Sequence, residues 1–314
     1  MRYIPYGGVL ILEATPSILT RMACADPRIP QSRPARIVSR DGLALATETW
    51  GAPDAPGVVF AHGFGQTRLA WSGSAAAIAA EGYRCIAFDA RGHGDSDRRR
   101  GDAPYAWPQL ADDLIDVART AGPLPVLVGA SMGGLIGLAA EGTQAPLFRA
   151  LVLVDVTPRW EPRGVDRIIA FMRAHPDGFD SLQHASEAIA AYLPHRREQK
   201  SPERLRSLLA DHGDGRLRWH WDPRLLDEIV HDSERQQPLL MEAARNIRIP
   251  TLLISGDESD IVSRATIDEF LALVPHARHV SVPRATHMVA GDDNLVFTRH
   301  VLHFLQTLQA ESSQ

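Results

Sequence analysis

The chain has 314 residues, 45% hydrophobic and 23% charged, an ordinary globular composition. At roughly 150 residues per domain it holds one large α/β domain or two modest ones. Lys and Arg number 33 against 38 Asp and Glu, a net charge of −5, so no basic excess is available for a phosphate backbone and nucleic acid is a poor partner. No apolar run approaches the roughly 18 residues of a membrane span. Cys24 and Cys85 cannot make a disulfide framework, which implies a reducing, cytoplasmic setting.

Residues 1–34 read as a loosely attached extension of unassigned role. Its apolar run Val9–Leu12 is cut by Glu13 and Pro16, too short for a secretory signal, and Met22 is an alternative start. Strand-like runs then occupy Arg36–Ser39 and Leu43–Thr49, with Asp41-Gly42 between them as a hairpin signal. Next comes an alternation. Strands are expected at Val58–Ala61, Arg84–Phe88, Pro125–Gly129, Ala150–Asp155, Pro250–Ser255 and His279–Val282. Helices are expected at Ser72–Ala80, Pro108–Ala121, Met132–Glu141, Ala265–Val274 and Leu295–Gln309. Strand followed by helix, repeated, specifies an α/β fold: a mostly parallel sheet with helices on both faces.

One stretch breaks this rhythm. From Pro158 to Ala244 no strand is evident, and helices are expected at Gly164–Arg173, Ser181–Ala191, Pro202–Ala210 and Pro223–Asp232. The organisation that follows is a core of residues 35–157 and 245–314, with residues 158–244 as a helical cap insertion over the sheet's C-terminal edge. The basic run Arg98-Arg99-Arg100 is surrounded by Asp95, Asp97 and Asp102 and reads as a solvated loop.

Chemistry is concentrated after the strands. Gly129-Ala130-Ser131-Met132-Gly133 follows one strand and opens a helix. In so sharp a turn the residues two before and two after the serine must be small, and the Oγ is exposed above the sheet as a nucleophile. Ala61-His62-Gly63-Phe64-Gly65 follows another strand. Its glycine-flanked turn aims the Phe64 amide, with that of Met132, at a developing oxyanion. His62 reads as a loop-fixing histidine because no second metal ligand has useful spacing. Thr286-His287-Met288 follows the last strand and offers His287 as a base. Acidic side chains at strand ends are Asp155, Asp257, Glu258 and Asp260. The order along the chain is Ser, acid, His.

With these motifs, the sequence resembles the α/β-hydrolase superfamily from about Arg36 to Gln309. Phe88-Asp89-Ala90-Arg91-Gly92-His93-Gly94-Asp95-Ser96 is similar to a structural turn of that family, in which Asp89 and Arg91 fix the loop. Ser131-Met132-Gly133-Gly134 together with His62-Gly63-Phe64 is similar to the esterase, non-haem haloperoxidase and carbon–carbon hydrolase branches. The slot in which the family usually carries its acid, three residues after Gly256, holds Ser259. The reading therefore moves the acid to Asp260, with Ile261-Val262 packed beneath it. Asp257 would point away, Glu258 lies one residue short, and after Asp155 the chain soon leaves for the cap.

The expected function is a serine hydrolase that cleaves carboxylic esters through an acyl-enzyme on Ser131, with His287 as base and then acid. Alternatives using the same triad are a perhydrolase-type haloperoxidase, a lactonase or a carbon–carbon hydrolase; from another class, a catalytically silent binding module. No metal or organic cofactor is implied. The expected partner is a small ester-like molecule, with no membrane, and a homo-oligomer is compatible with the sequence.

Overall fold

The structure is a computed structural model that describes residues 30–144, 146–192, 205–211, 213–230, 233–292 and 294–312. The expectations for residues 1–29, 202–204 and 231–232 lie outside it. Eight strands form one sheet: β1 (Arg33–Val38), β2 (Ala44–Trp50), β3 (Gly57–Ala61), β4 (Arg84–Phe88), β5 (Val126–Ala130), β6 (Ala150–Val154), β9 (Thr251–Gly256) and β10 (Arg278–Val282). Their spatial order is β1-β2-β4-β3-β5-β6-β9-β10. β2 is antiparallel to both neighbours, and every other pairing is parallel.

The interior strands read as unbroken apolar runs because both faces are covered. Their two-residue period still sorts side chains between two cores. Val59, Ala61, Leu127, Leu151, Leu153 and Leu253 belong to one core. It is closed by α2 (Trp107–Thr120), α3 (Met132–Gln144), α6 (Ser233–Asn246) and α7 (Arg264–Leu273). Val58, Phe60, Val126, Val128, Val152 and Val154 belong to the other, covered by α1 (Ser72–Ala80) and α8 (Asn294–Ser312). Cys85 is buried on that second face. Burial pushes its thiol pKa up, so it behaves as a small apolar side chain. No helix among the described residues is long and apolar enough to cross a membrane.

The segment between β6 and β9 differs from the all-helical expectation. It contains α4 (Pro162–Arg173) and α5 (Leu182–Tyr192) close to the expected positions. It also contains a small antiparallel hairpin, β7 (Leu209–Asp211) and β8 (Leu217–Trp219). The turn supplies the reason: Gly213 and Gly215 have positive φ, and the Asp211 and Asp214 carboxylates accept the amides of Gly213 and Arg216. Such Asp-Gly chemistry ends a helix and reverses a strand. Phe179 extends the ladder by exchanging both backbone hydrogen bonds with Leu217 at 2.7 and 2.9 Å. The expected helix over Pro223–Asp232 is present as a short helical turn that takes the π form at Leu226–Val230, and its last two residues lie outside the described ones. The helix α6 was not expected either, and Pro238 inside it disguises its pattern.

Candidate active site

The loops at the C-terminal ends of β3, β5, β6, β9 and β10 converge. Ser131 stands between β5 and α3 with φ 46°, left-handed backbone that costs a non-glycine residue roughly 1–2 kcal/mol. Its amide donates to the Val154 carbonyl at 3.1 Å, and its carbonyl receives the Leu135 amide at 3.0 Å, so strand and helix both grip the turn. The flanking glycines are required by space. A Cβ at Gly129 would lie 2.7 Å from the Gly134 backbone, and one at Gly133 would lie 2.5 Å from the Ala61 carbonyl oxygen. A Cβ on Gly63 would sit 3.2 Å from the Ser131 Cβ, which places the loop after β3 directly beside the serine.

His287, after β10, meets a carboxylate, but not that of Asp260. Its Nδ1 lies 2.8 Å from Oδ2 of Asp155, the first residue after β6. Asp155 is fully buried with φ 47°. It also accepts the Gly256 amide on Oδ1 at 2.8 Å and the Ser259 hydroxyl on Oδ2 at 2.6 Å. Asp260 instead pairs with Arg167 of α4 at 3.0 Å. Asp257 and Glu258 are exposed. The assignment of the acid to Asp260 is thereby corrected in geometry. The physical reason is Ser259, which occupies the slot expected for an acid. Its hydroxyl accepts the amides of Ile261 and Val262 at 3.2 and 3.1 Å while donating to Asp155. The loop after β9 thus supports a carboxylate from β6.

The Phe64 loop is held by three buried histidines. The Ala90 amide donates to His62 Nε2 at 2.9 Å, so the His62 proton sits on Nδ1 and is donated to the Gly63 carbonyl at 2.8 Å. The Gly65 amide donates to His93 Nε2 at 3.3 Å, and His93 Nδ1 faces the Arg91 carbonyl at 3.2 Å. His220 comes from the segment after β8. It accepts the Gly94 amide on Nδ1 at 2.8 Å and donates from Nε2 to the Gly65 carbonyl at 3.2 Å. Each ring needs one bare nitrogen and is therefore neutral. Burial is the main cause that lowers all three pKa values, and it brings His220 down to about 4. Asp89 and Arg91 also fix loops: Asp89 pairs with Arg68, and Arg91 with Asp113 and Asp41.

Stability should therefore fall in acid. A histidine with a depressed folded pKa leaves the unfolded chain binding more protons between about 4 and 6.5, so stability is full above that window and drops as pH falls through it. From pH 7 to pH 5, His220 alone is expected to remove about 2 kcal/mol, with His62 and His93 acting in the same direction. Urea unfolding at the two pH values measures this, and His220→Gln should lose less stability than the wild type over that interval. Equal losses would refute the assignment.

A cavity of about 210 Å³ opens beside Ser131 and His287. The segment between β6 and β9 contributes Phe171, Met172, Tyr192, Trp219 and Trp221 to its walls, whereas Trp160 is buried elsewhere. Phe171 and Tyr192 stack at 4.1 Å with planes 11° apart, and Phe64 packs against Trp221 at 5.3 Å. Sequence reasoning did not single out Arg167, which also lines the cavity; a lone arginine on an amphipathic helix carries no local signal.

Residues 58–299 match the model of the alpha/beta hydrolase family. The chain belongs to the α/β-hydrolase family. This α/β-hydrolase is 29% identical over 265 residues to a 3-hydroxybutyrate-oligomer hydrolase of Cupriavidus necator, covering 80% of this chain and 89% of the relative. It is 30% identical to an esterase of Mycobacterium tuberculosis, covering 79% of this chain and 82% of that protein. Among solved structures, that of an E-2-(acetamidomethylene)succinate hydrolase shares the fold with a TM-score of 0.78 and 24% identity, over 88% of this chain and 100% of that one.

Proposed function

We propose that this α/β-hydrolase is a serine hydrolase of carboxylic esters. The observation that carries the reading is the 2.8 Å contact between His287 Nδ1 and the buried Asp155 carboxylate. A carboxylate there holds the Nδ1 proton, leaves Nε2 bare to act as the base, and stabilises the imidazolium that forms. Ser131 Oγ then attacks the ester carbonyl while His287 takes its proton. The tetrahedral oxygen is received by the amides of Phe64 and Met132; among the described residues, no hydrogen bond to another backbone group occupies either amide. His287 returns the proton to the departing alcohol, then activates water to release the acid from Ser131. No metal or organic cofactor enters these steps, and residues 158–244 serve as a cap that walls the acyl or alcohol pocket. The names of the Cupriavidus and Mycobacterium relatives, an oligomer hydrolase and an esterase, support the same class.

A fluorophosphonate probe tests the reading: it should label Ser131 in the folded protein, and short p-nitrophenyl esters should be turned over. A folded protein that neither takes the label nor hydrolyses esters would instead be a silent binding module on this fold.

A further inference from the structure

The cavity beside Ser131 is walled mainly by apolar and aromatic side chains, yet Arg167 and Asp260 reach it as well. Histidines aside, they are the only charged residues among its described lining. Arg167 projects from α4 with its side chain 53% exposed, and Asp260 is 34% exposed. An ion pair so open to water adds little to stability, so fold stability is a weak reason for a cation at this place.

The guanidinium is also oriented. It lies over the Tyr192 ring, 5.2 Å from its centroid, and Tyr192 is itself stacked on Phe171. On the opposite constraint, Nη2 meets Asp260 Oδ2 at 3.0 Å. A guanidinium carries five N–H groups in a planar fork, more than one carboxylate oxygen engages. A second carboxylate docks on such a fork through paired, charge-assisted hydrogen bonds. The aromatic stack and Asp260 set the plane of the fork before any ligand arrives, which lowers the entropy cost of using it. Apolar walls such as Ile168 and Met172 then suit methylene groups lying between that carboxylate and the scissile bond.

We propose that Arg167 anchors a free carboxylate on the substrate, so that the enzyme acts on esters whose acyl or alcohol part bears a carboxylate several bonds from the scissile carbonyl. The inference rests on the ester-hydrolase reading above and narrows it. Asp260, as a like charge beside the same fork, acts as a brake on anion affinity and keeps the empty cation paired.

The test uses two series of matched esters. In the first, p-nitrophenyl esters carry adipoyl, pimeloyl or suberoyl chains ending in a carboxylate or in the neutral amide; shorter chains are avoided because they cyclise to anhydrides. In the second, acetate esters of ω-hydroxy acids are compared with those of the corresponding amides. In at least one series the wild type should prefer the carboxylate by about 10- to 100-fold in kcat/KM, the range for hydrogen bonds to charged groups. Arg167→Gln should bring that ratio to within about twofold of unity. Arg167→Lys, which keeps the charge without the fork, should fall between, and Asp260→Asn should raise the ratio above the wild-type value. The series in which the preference appears tells which side of the ester carries the anion.

Calorimetry with hexanoate against hexanamide supplies a readout without turnover: hexanoate should bind more tightly, and Arg167→Gln should remove the difference. If the esters are turned over, no carboxylate preference in either series, or one that survives Arg167→Gln, overturns the anchor. Absence of all turnover with an Arg167-dependent hexanoate preference would sink the ester-hydrolase reading and leave the anchor standing. Absence of that preference in binding sinks the anchor itself.

Discussion

Replacing Ser131 by alanine is expected to lower kcat on the best ester substrate by at least about 10³-fold, because the covalent step loses its nucleophile while the remaining binding groups persist. The fold should survive. Alanine keeps the Cβ, adds no volume between Gly129 and Gly133, and bears the left-handed φ of 46° no worse than serine does. The two backbone hydrogen bonds that grip the turn, to Val154 and from Leu135, involve no side-chain atom. Thermal melting within a few degrees of the wild type would show that the loss is chemical. A Ser131→Ala protein that hydrolyses esters at a comparable rate would remove the acyl-enzyme from the mechanism.

Asp155→Asn is the second large effect, with an expected loss in kcat of about 10²- to 10⁴-fold. An asparagine can present its NH₂ to His287 Nδ1, which stabilises the wrong tautomer and turns the basic nitrogen away from Ser131. The buried site also loses a charge that accepts three hydrogen bonds, from Gly256, Ser259 and His287. Some loss of stability is therefore expected beside the loss of rate, and the melting curve must be measured with the kinetics. Asp260→Asn is the control for position, since its carboxylate faces Arg167. The kcat loss at Asp155 should exceed that at Asp260 by at least about tenfold. The reverse order would return the acid to the loop after β9.

The strands were legible because apolar runs of four to six residues recur between helical stretches, and Val58 to Ala61 or Val126 to Val128 need no tertiary information to be read so. The serine turn was legible for a similar reason, since crowding at Gly129 and Gly133 is a local requirement. The acid was not. Asp155 and Asp260 both lie in loops that follow strands, and the choice between them depends on where a side chain turns after its own strand is paired. That is decided by the φ of Asp155 and by Ser259, neither of which has a periodic signature. The β7–β8 hairpin carried a local sign in Asp214-Gly215, but its three-residue strands are too short for alternation to show. The helix α6 was hidden by Pro238. Arg167 becomes meaningful only when α4 is laid against the loop after β9, a contact between residues some ninety positions apart.

The carbonyl of Gly65 is fastened by an imidazole that lies 155 positions further along the chain. A block of sequence from β6 to β9 has the outward form of an exchangeable cassette, free to be traded among related enzymes to change what they accept. Here it is also half of a clasp on the loop that carries Phe64. A donor block with no imidazole at the position of His220 would leave the Gly65 carbonyl and the Gly94 amide to water. Recombination that alters the pocket therefore alters the catalytic loop too, unless the histidine travels with it.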